Sequence, residues 1–345
     1  MTLRELARLA DLSPSAISLA LRDSPRIGAA TKARVKALAA EHGYIPDARI
    51  VDMMRHLRKP RTVRAQACFG VISFYPEKRP WENSPHLSRI HDGMTRRATE
   101  LGYRLDPLWL KAPGLSLRRF REIVQARGIE GLLCFGSPDV AQVFPQELND
   151  YAVVTVGFSI RTNLHRVTSR PFNDTLNAFN RLRDLGYQRP GLVLSPYEDS
   201  RTYHSHSAAY LGWIEQNFGM ERALPILRMD EVTAEPLLAW RRSHAPDSFV
   251  FVHSPSAVRQ LREVLDAHHI RTPADLGVAV QSHMVEGSGF TGLQQNQHLM
   301  GAWAVELLAA RIANRDFGIP QTPRVEMVES EWIKGNTLRT PGQHA

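Results

Sequence analysis

The chain has 345 residues, 43% of them hydrophobic, with two cysteines and a formal net charge of +8. That length and composition suit a globular protein with two or three cores, and no apolar run reaches the ~18–20 residues of a membrane span. The positive charge is concentrated: residues 1–64 hold 13 Lys and Arg against 6 Asp and Glu, the remainder 30 against 29. A basic head on a near-neutral body is the footprint of a phosphate-binding segment.

In chain order, Leu3, Leu6, Ala7 and Ala10 share one helical face. Thr2 followed by Glu5 makes a capping box. The chain is expected to turn at Asp11-Leu12, a second helix to start with Ser13 as cap and Pro14 at its first position, and Ile17, Ala20 and Leu21 to face back. Pro14, Ser15, Ser18 and Leu19 then form an outer face suited to base edges. A third helix is predicted from Ala29 to His42, with Val35, Leu38 and Ala39 inward, Arg34 and Lys36 outward, and Gly43 ending it. Pro46 breaks the chain, and a short fourth helix is expected from Ala48 to Leu57. Such a helix is marginal alone and needs a partner, as a minor-groove helix in a dimer has.

The head resembles the DNA-binding domain of the LacI/GalR family. The residues that carry the resemblance are Thr2-Leu3, Leu6-Ala7, Ala10, Leu12-Ser13, Ile17-Ser18 and Ala20-Leu21, then Ile27, Thr31, Lys32, Arg34 and Val35, then Gly43-Tyr44 and Pro46. It implies DNA contacts from Thr2, Leu3, Ser13, Pro14, Ser15, Ser18, Leu19, Arg26 and Thr31, and a minor-groove wedge at Met53. Three departures matter. Leu19 stands where the family usually has Arg, and a leucine packs on a thymine methyl instead of pairing with guanine. Asp11 replaces the turn glycine, as one of the few residues tolerant of positive φ. Met53 replaces the usual leucine wedge.

Beyond Cys68, strand-like runs at 68–75, 103–110, 131–135, 152–158, 191–195, 249–253 and 277–281 alternate with helical patterns at 86–101, 116–127, 174–185, 207–218, 256–269 and 298–314. The alternation implies an α/β body with parallel sheets, and the number of strands favours two sheets. Cys68 and Cys134 sit in apolar runs and read as reduced core residues. The body resembles the periplasmic-binding-protein-like effector domain of the same family, on Pro85, Gly93, Glu100-Leu101-Gly102-Tyr103, Arg127 to Leu132, Leu182 to Arg189, Ile270 to Leu276 and Met300 to Leu308. The resemblance implies a small all-α helix-turn-helix head plus an α/β body of two lobes. It divides the chain into a head over 1–46, a hinge helix and linker over 47–64, and an effector-binding and dimerisation domain over 65–340. The chain would cross between lobes near 158–168, 282–293 and 318–324. No leucine heptad follows Lys334, so a C-terminal tetramerising coiled coil is not expected.

Several positions where the family holds carboxylates or amides carry other residues: His206, His253-Ser254, Ser282-His283 and Arg170-Pro171. Three histidines with Arg201 suit an anionic ligand such as a sugar acid or sugar phosphate, and Tyr75 and Trp81 suit stacking on a sugar face. Phe158 completes the expected effector site. A zinc site at His206, His253 and His283 has no supporting spacing, and no metal or cofactor is expected. P-loop, HExxH, GxSxG and CxxC patterns are absent, which argues against an enzyme. The expectation is therefore a cytoplasmic, homodimeric, sequence-specific DNA-binding regulator, a repressor controlled by a small carbohydrate-related effector on a pseudo-palindromic operator, with no membrane partner. The alternatives are a regulator with a degenerate effector site and a solute-binding protein; the basic head and the lack of a leader pattern at the N-terminus argue against the latter.

Overall fold

The computed structural model describes residues 2–21, 24, 26–44, 67–282 and 285–340. The chain divides into two compact units, Met1–Ala65 and Gln66–Ala345. The expected hinge helix and Met53 lie outside the described residues.

The described residues of the head form three helices, α1 (Leu3–Leu9), α2 (Pro14–Leu21) and α3 (Ala29–Glu41). Its start is fixed by the capping box: the Thr2 backbone N–H donates to Glu5 Oε2 at 2.6 Å, and the Glu5 N–H donates to Thr2 Oγ1 at 3.3 Å. The Ser13 hydroxyl accepts from the Ala16 N–H at 3.1 Å and opens α2. Asp11 takes φ +48° in the turn between α1 and α2, and Gly43 takes φ +60° after α3. Leu6, Ala7, Ala10, Ile17, Ala20, Val35 and Ala39 form the core. Helices this short hold together through that shared apolar face.

The body holds two six-stranded sheets. In the first lobe the strands are β1 (Cys68–Ser73), β2 (Arg104–Trp109), β3 (Ile129–Cys134), β4 (Ala152–Val156), β5 (His165–Ser169) and β11 (Val325–Val328). Their order is β11-β5-β4-β3-β1-β2, all parallel. Pro107 is tolerated because β2 is an edge strand. The second lobe orders β12-β10-β9-β8-β6-β7, with β6 (Pro190–Leu194), β7 (Leu227–Arg228), β8 (Ser248–Val252), β9 (Gly277–Ser282), β10 (Thr291–Gln294) and β12 (Glu331–Ile333). Among the described residues only the β10–β12 pair of this sheet is antiparallel.

Central strands are buried along their whole length because helices cover both faces. In the first lobe, Phe69 and Val71 point to one layer with α4 (Pro85–Glu100) and α11 (Gln297–Asn314), while Cys68 and Ile72 point to the other with α5 (Leu117–Ala126). Both cysteines are free and buried in that second layer. Helices α4 and α11 cross at glycine: a Cβ on Gly93 would stand 2.0 Å from the His298 carbonyl oxygen, and one on Gly301 would stand 2.1 Å from that of Ile90. In the second lobe, α6 (Pro171–Asp184) and α8 (Ser205–Asn217) cover one face through Phe179, Tyr210 and Trp213. Helices α9 (Ala234–His244) and α10 (Pro255–Ala267) cover the other through Trp240 and Leu261.

All three crossovers fall later than the sequence suggested. They lie between β5 and α6 near 169–171, between β10 and α11 near 294–297, and between β11 and β12 near 328–331. Strands β5, β10 and β11 are four or five residues long and mix polar with apolar side chains, so they carry no clear apolar run. Among the described residues no helix is long and apolar enough to cross a membrane.

Candidate functional sites

On the head, Ser13, Pro14 and Ser15 are exposed at the start of α2, and Ser18 and Leu19 are half-buried one turn later. An exposed first turn with a small-residue face is what a groove-reading helix requires. Arg26 is exposed and Thr31 half-buried at the start of α3. Two residues have local duties. The Thr2 side chain is engaged in the cap, and Leu3 packs against the head core. Arg34 is not a free outward cation: its Nη2 donates to the Ala10 carbonyl at 3.0 Å, satisfying the C-terminal end of α1.

The body carries a cavity of about 330 Å³ between its lobes. It lies outside the carboxyl ends of β1, β3, β4 and β5 in one lobe and of β8 and β9 in the other, where open parallel sheets bind ligands. Tyr75, Phe158, Arg201, His206, His253 and Ser282 all line it. Trp81 does not. Its ring is buried in the first lobe, stacked on His91 at 4.2 Å and edge-on to Phe135 at 5.1 Å. Phe135, which sequence reasoning passed over, faces the cavity instead. His283 lies outside the described residues.

The histidines differ from the sequence expectation. His253 Nδ1 accepts from the Ser254 N–H at 2.9 Å, so its Nε2 carries the proton and donates to the Met229 carbonyl at 3.2 Å. Burial holds its pKa below the usual value. Both nitrogens are committed to the backbone, so His253 is a neutral wall residue and neither an anion nor a zinc ligand. His206 Nδ1 meets Thr175 Oγ1 at 2.8 Å, and Thr175 in turn donates within 2.9 Å of Gln281 Oε1. Ser282 donates to the His253 carbonyl at 2.9 Å. Among the described residues no group of three or more His, Cys, Asp or Glu could hold a metal ion.

Cleft electrostatics rest on a segment the sequence reading did not resolve, α7 (Pro196–Arg201). Arg201 Nη1 lies 3.5 Å from Glu198 Oε2, and both side chains are mostly buried. Arg201 Nε is buried without a hydrogen-bond partner. So is Thr168 Oγ1, at the end of β5 and on the cavity wall. Buried polar atoms are normally satisfied, so these two await a partner. Glu77 also lines the cavity, but Glu198 is the carboxylate paired with Arg201. The expected loss of cleft carboxylates is therefore corrected: Glu198 supplies one, from a position no strand-end motif marks. Burial pushes the Tyr75 phenol up to about 12, so it is a neutral donor.

Residues 2–47 match the family of bacterial regulatory proteins described as the lacI family. The head of the chain therefore matches the DNA-binding domain of that family. No curated protein matches this chain in sequence. Among solved structures it is similar to the transcriptional regulator CelR in complex with cellobiose, at 18% identity and TM-score 0.58, covering 98% of this chain and 99% of that one. It is also similar to the lac repressor bound to ONPG, at 16% identity and TM-score 0.59, with 98% and 99% covered. A LacI-family regulator from Silicibacter pomeroyi matches at 16% identity and TM-score 0.54, with 99% and 100% covered. At such identities these likenesses speak for the fold alone.

Proposed function

We propose that this regulator binds a pseudo-palindromic operator as a homodimer in the cytoplasm and represses transcription until a small, hydroxyl-rich molecule enters the inter-lobe cleft. The observation that carries the reading is the Glu198–Arg201 pair beside unpartnered Thr168 and Arg201 atoms in a 330 Å³ cavity at the strand ends. A carboxylate and a guanidinium side by side accept from and donate to neighbouring hydroxyls. Because Glu198 offsets Arg201, the cleft suits a neutral sugar better than the sugar acid or sugar phosphate that histidine content alone suggested. Tyr75, Phe135 and Phe158 offer apolar faces to ring carbons. Binding changes operator affinity only through a difference in affinity for two lobe arrangements.

The test has two arms. Full-length protein is bound to promoter fragments near its own coding region at several salt concentrations; a retained preference for one fragment supports operator recognition, and salt-collapsed binding to every fragment overturns it. Thermal unfolding is then followed with neutral sugars, sugar acids and sugar phosphates. A rise with a neutral sugar, through mass action, supports the effector reading, whereas a rise confined to the anions overturns the neutral class.

A further inference from the structure

We infer that α7 and the two residues following Thr202 form a clasp that holds the two lobes together independently of the three crossovers. The inference builds on the cleft reading above, because the same segment supplies Glu198, Arg201 and Thr202 to the cavity. Its other side chains and carbonyls face the first lobe. The Tyr197 hydroxyl donates to the Pro138 carbonyl at 3.1 Å. Arg161 Nη2 donates to the Ser200 carbonyl at 3.0 Å. The Arg161 guanidinium also lies 4.3 Å from the Tyr203 ring centroid, and Phe158 meets the same ring edge-on at 6.2 Å.

Each end of the clasp is built to hold its shape. In the second lobe, Tyr203 and His204 both take positive φ, +56° and +58°, which side-chain-bearing residues adopt only under constraint. The constraint is Asp199, 2% exposed, whose carboxylate accepts from the Ser207 N–H at 3.1 Å, the Ser207 hydroxyl at 2.8 Å and His204 Nδ1 at 3.3 Å. Two left-handed residues in succession turn the chain so that the Tyr203 ring projects toward Arg161. In the first lobe, the loop 157–162 is held from within by Arg166. That buried guanidinium donates to the carbonyls of Gly157 at 2.8 Å and Ile160 at 3.0 Å. One strained segment thus grips a rigid loop of the other lobe on one side and lines the ligand cavity on the other. A molecule that moves Glu198 or Arg201 moves Tyr197, Ser200 and Tyr203 with them.

The clasp is testable without any effector, so its failure is distinct from failure of the cleft reading. Full-length protein carrying Arg118→Cys on α5 and Glu263→Cys on α10, both exposed sites on different lobes, is spin-labelled and the inter-label distance distribution measured. The native cysteines are buried and remain unlabelled. Adding Arg161→Met with Tyr197→Phe removes both hydrogen bonds and the cation–π contact while keeping apolar bulk. The clasp requires the distribution to broaden or move to longer distance, with operator affinity changing several-fold. An unchanged distribution in folded protein overturns it. Tyr197→Phe alone, which deletes one hydroxyl, provides the same reading at smaller amplitude should the double variant fold poorly.

Discussion

The Ser330 hydroxyl donates to Asp174 Oδ2 at 2.6 Å, joining the first helix after one crossover to the chain of another. Arg170 and Glu329, at 3.1 Å, make a second link between the same two crossovers. Asp174 is 1% exposed and its Oδ1 has no partner. Burial raises its carboxyl from the usual 3.8 to about 6, against the smaller opposing effect of the Ser330 hydrogen bond.

A carboxyl whose folded pKa is raised binds its proton more tightly folded than unfolded. Its cost is therefore complete above pH ~6 and disappears as pH falls toward ~4. Asp174→Asn keeps the acceptor for Ser330 and removes that cost, on the order of 2–3 kcal/mol. The variant is expected to melt several degrees above the parent at pH 7.5, with the gap closing near pH 4.5. Thermal unfolding across that range checks it; a gap independent of pH would show that Asp174 is not the titrating group.

The α4–α11 crossing depends on Gly301. A Cβ there meets the Ile90 carbonyl at 2.1 Å and the Met94 nitrogen at 2.8 Å, and backbone cannot rotate away as a side chain does. Gly301→Ala should cost about 2–3 kcal/mol through overpacking, even though alanine is the better helix former. Urea unfolding measures it, and a neutral or stabilising result would contradict the close approach.

Glu198→Gln leaves Arg201 without its charge partner in the cleft while preserving shape. The expected outcome is a reversal of ligand preference, with sugar acids gaining affinity ~10-fold or more and neutral sugars losing it, since Gln accepts less strongly from hydroxyls than a carboxylate. Calorimetric titration with matched neutral and acidic sugars tests this; equal losses for both would mean that the charge of Glu198 does not select.

On the head, Leu19→Arg should change the preferred base at one position in each half-site, with ~1–3 kcal/mol of new discrimination. Leu19 is half-buried in α2, so the longer arginine must extend outward to reach a base edge. Selection from a randomised DNA library reads this directly. An unchanged consensus would remove residue 19 from the reading face.

The head was legible in the sequence because its contacts are local. A cap at Thr2, a turn at Asp11, a cap at Ser13 and apolar residues three and four apart all act within a few residues of one another, and all reappear in the structure. Six of the seven strand-like runs in the body were equally plain, since a strand buried on both faces has to be largely apolar, whereas β2 is an edge strand. Tyr75, Phe158, Arg201, His206, His253 and Ser282 line the cavity as expected, but tertiary structure alone decided what each of them meets there. Trp81 and Phe135 exchange the roles their positions suggested, because helix α4 brings His91 over the indole and leaves the phenylalanine facing the cavity. His253 is spent on backbone groups of residues 229 and 254. Glu198 and Arg201 come from a six-residue helix with no periodic signature, and they acquire meaning only where the other lobe's Gly157, Phe158 and Arg161 approach. Local spacing specifies helices and strands through short-range hydrogen bonds and apolar faces. Which side chains meet across a cleft depends on where three crossovers and two folded sheets carry them, and single-sequence spacing does not encode that.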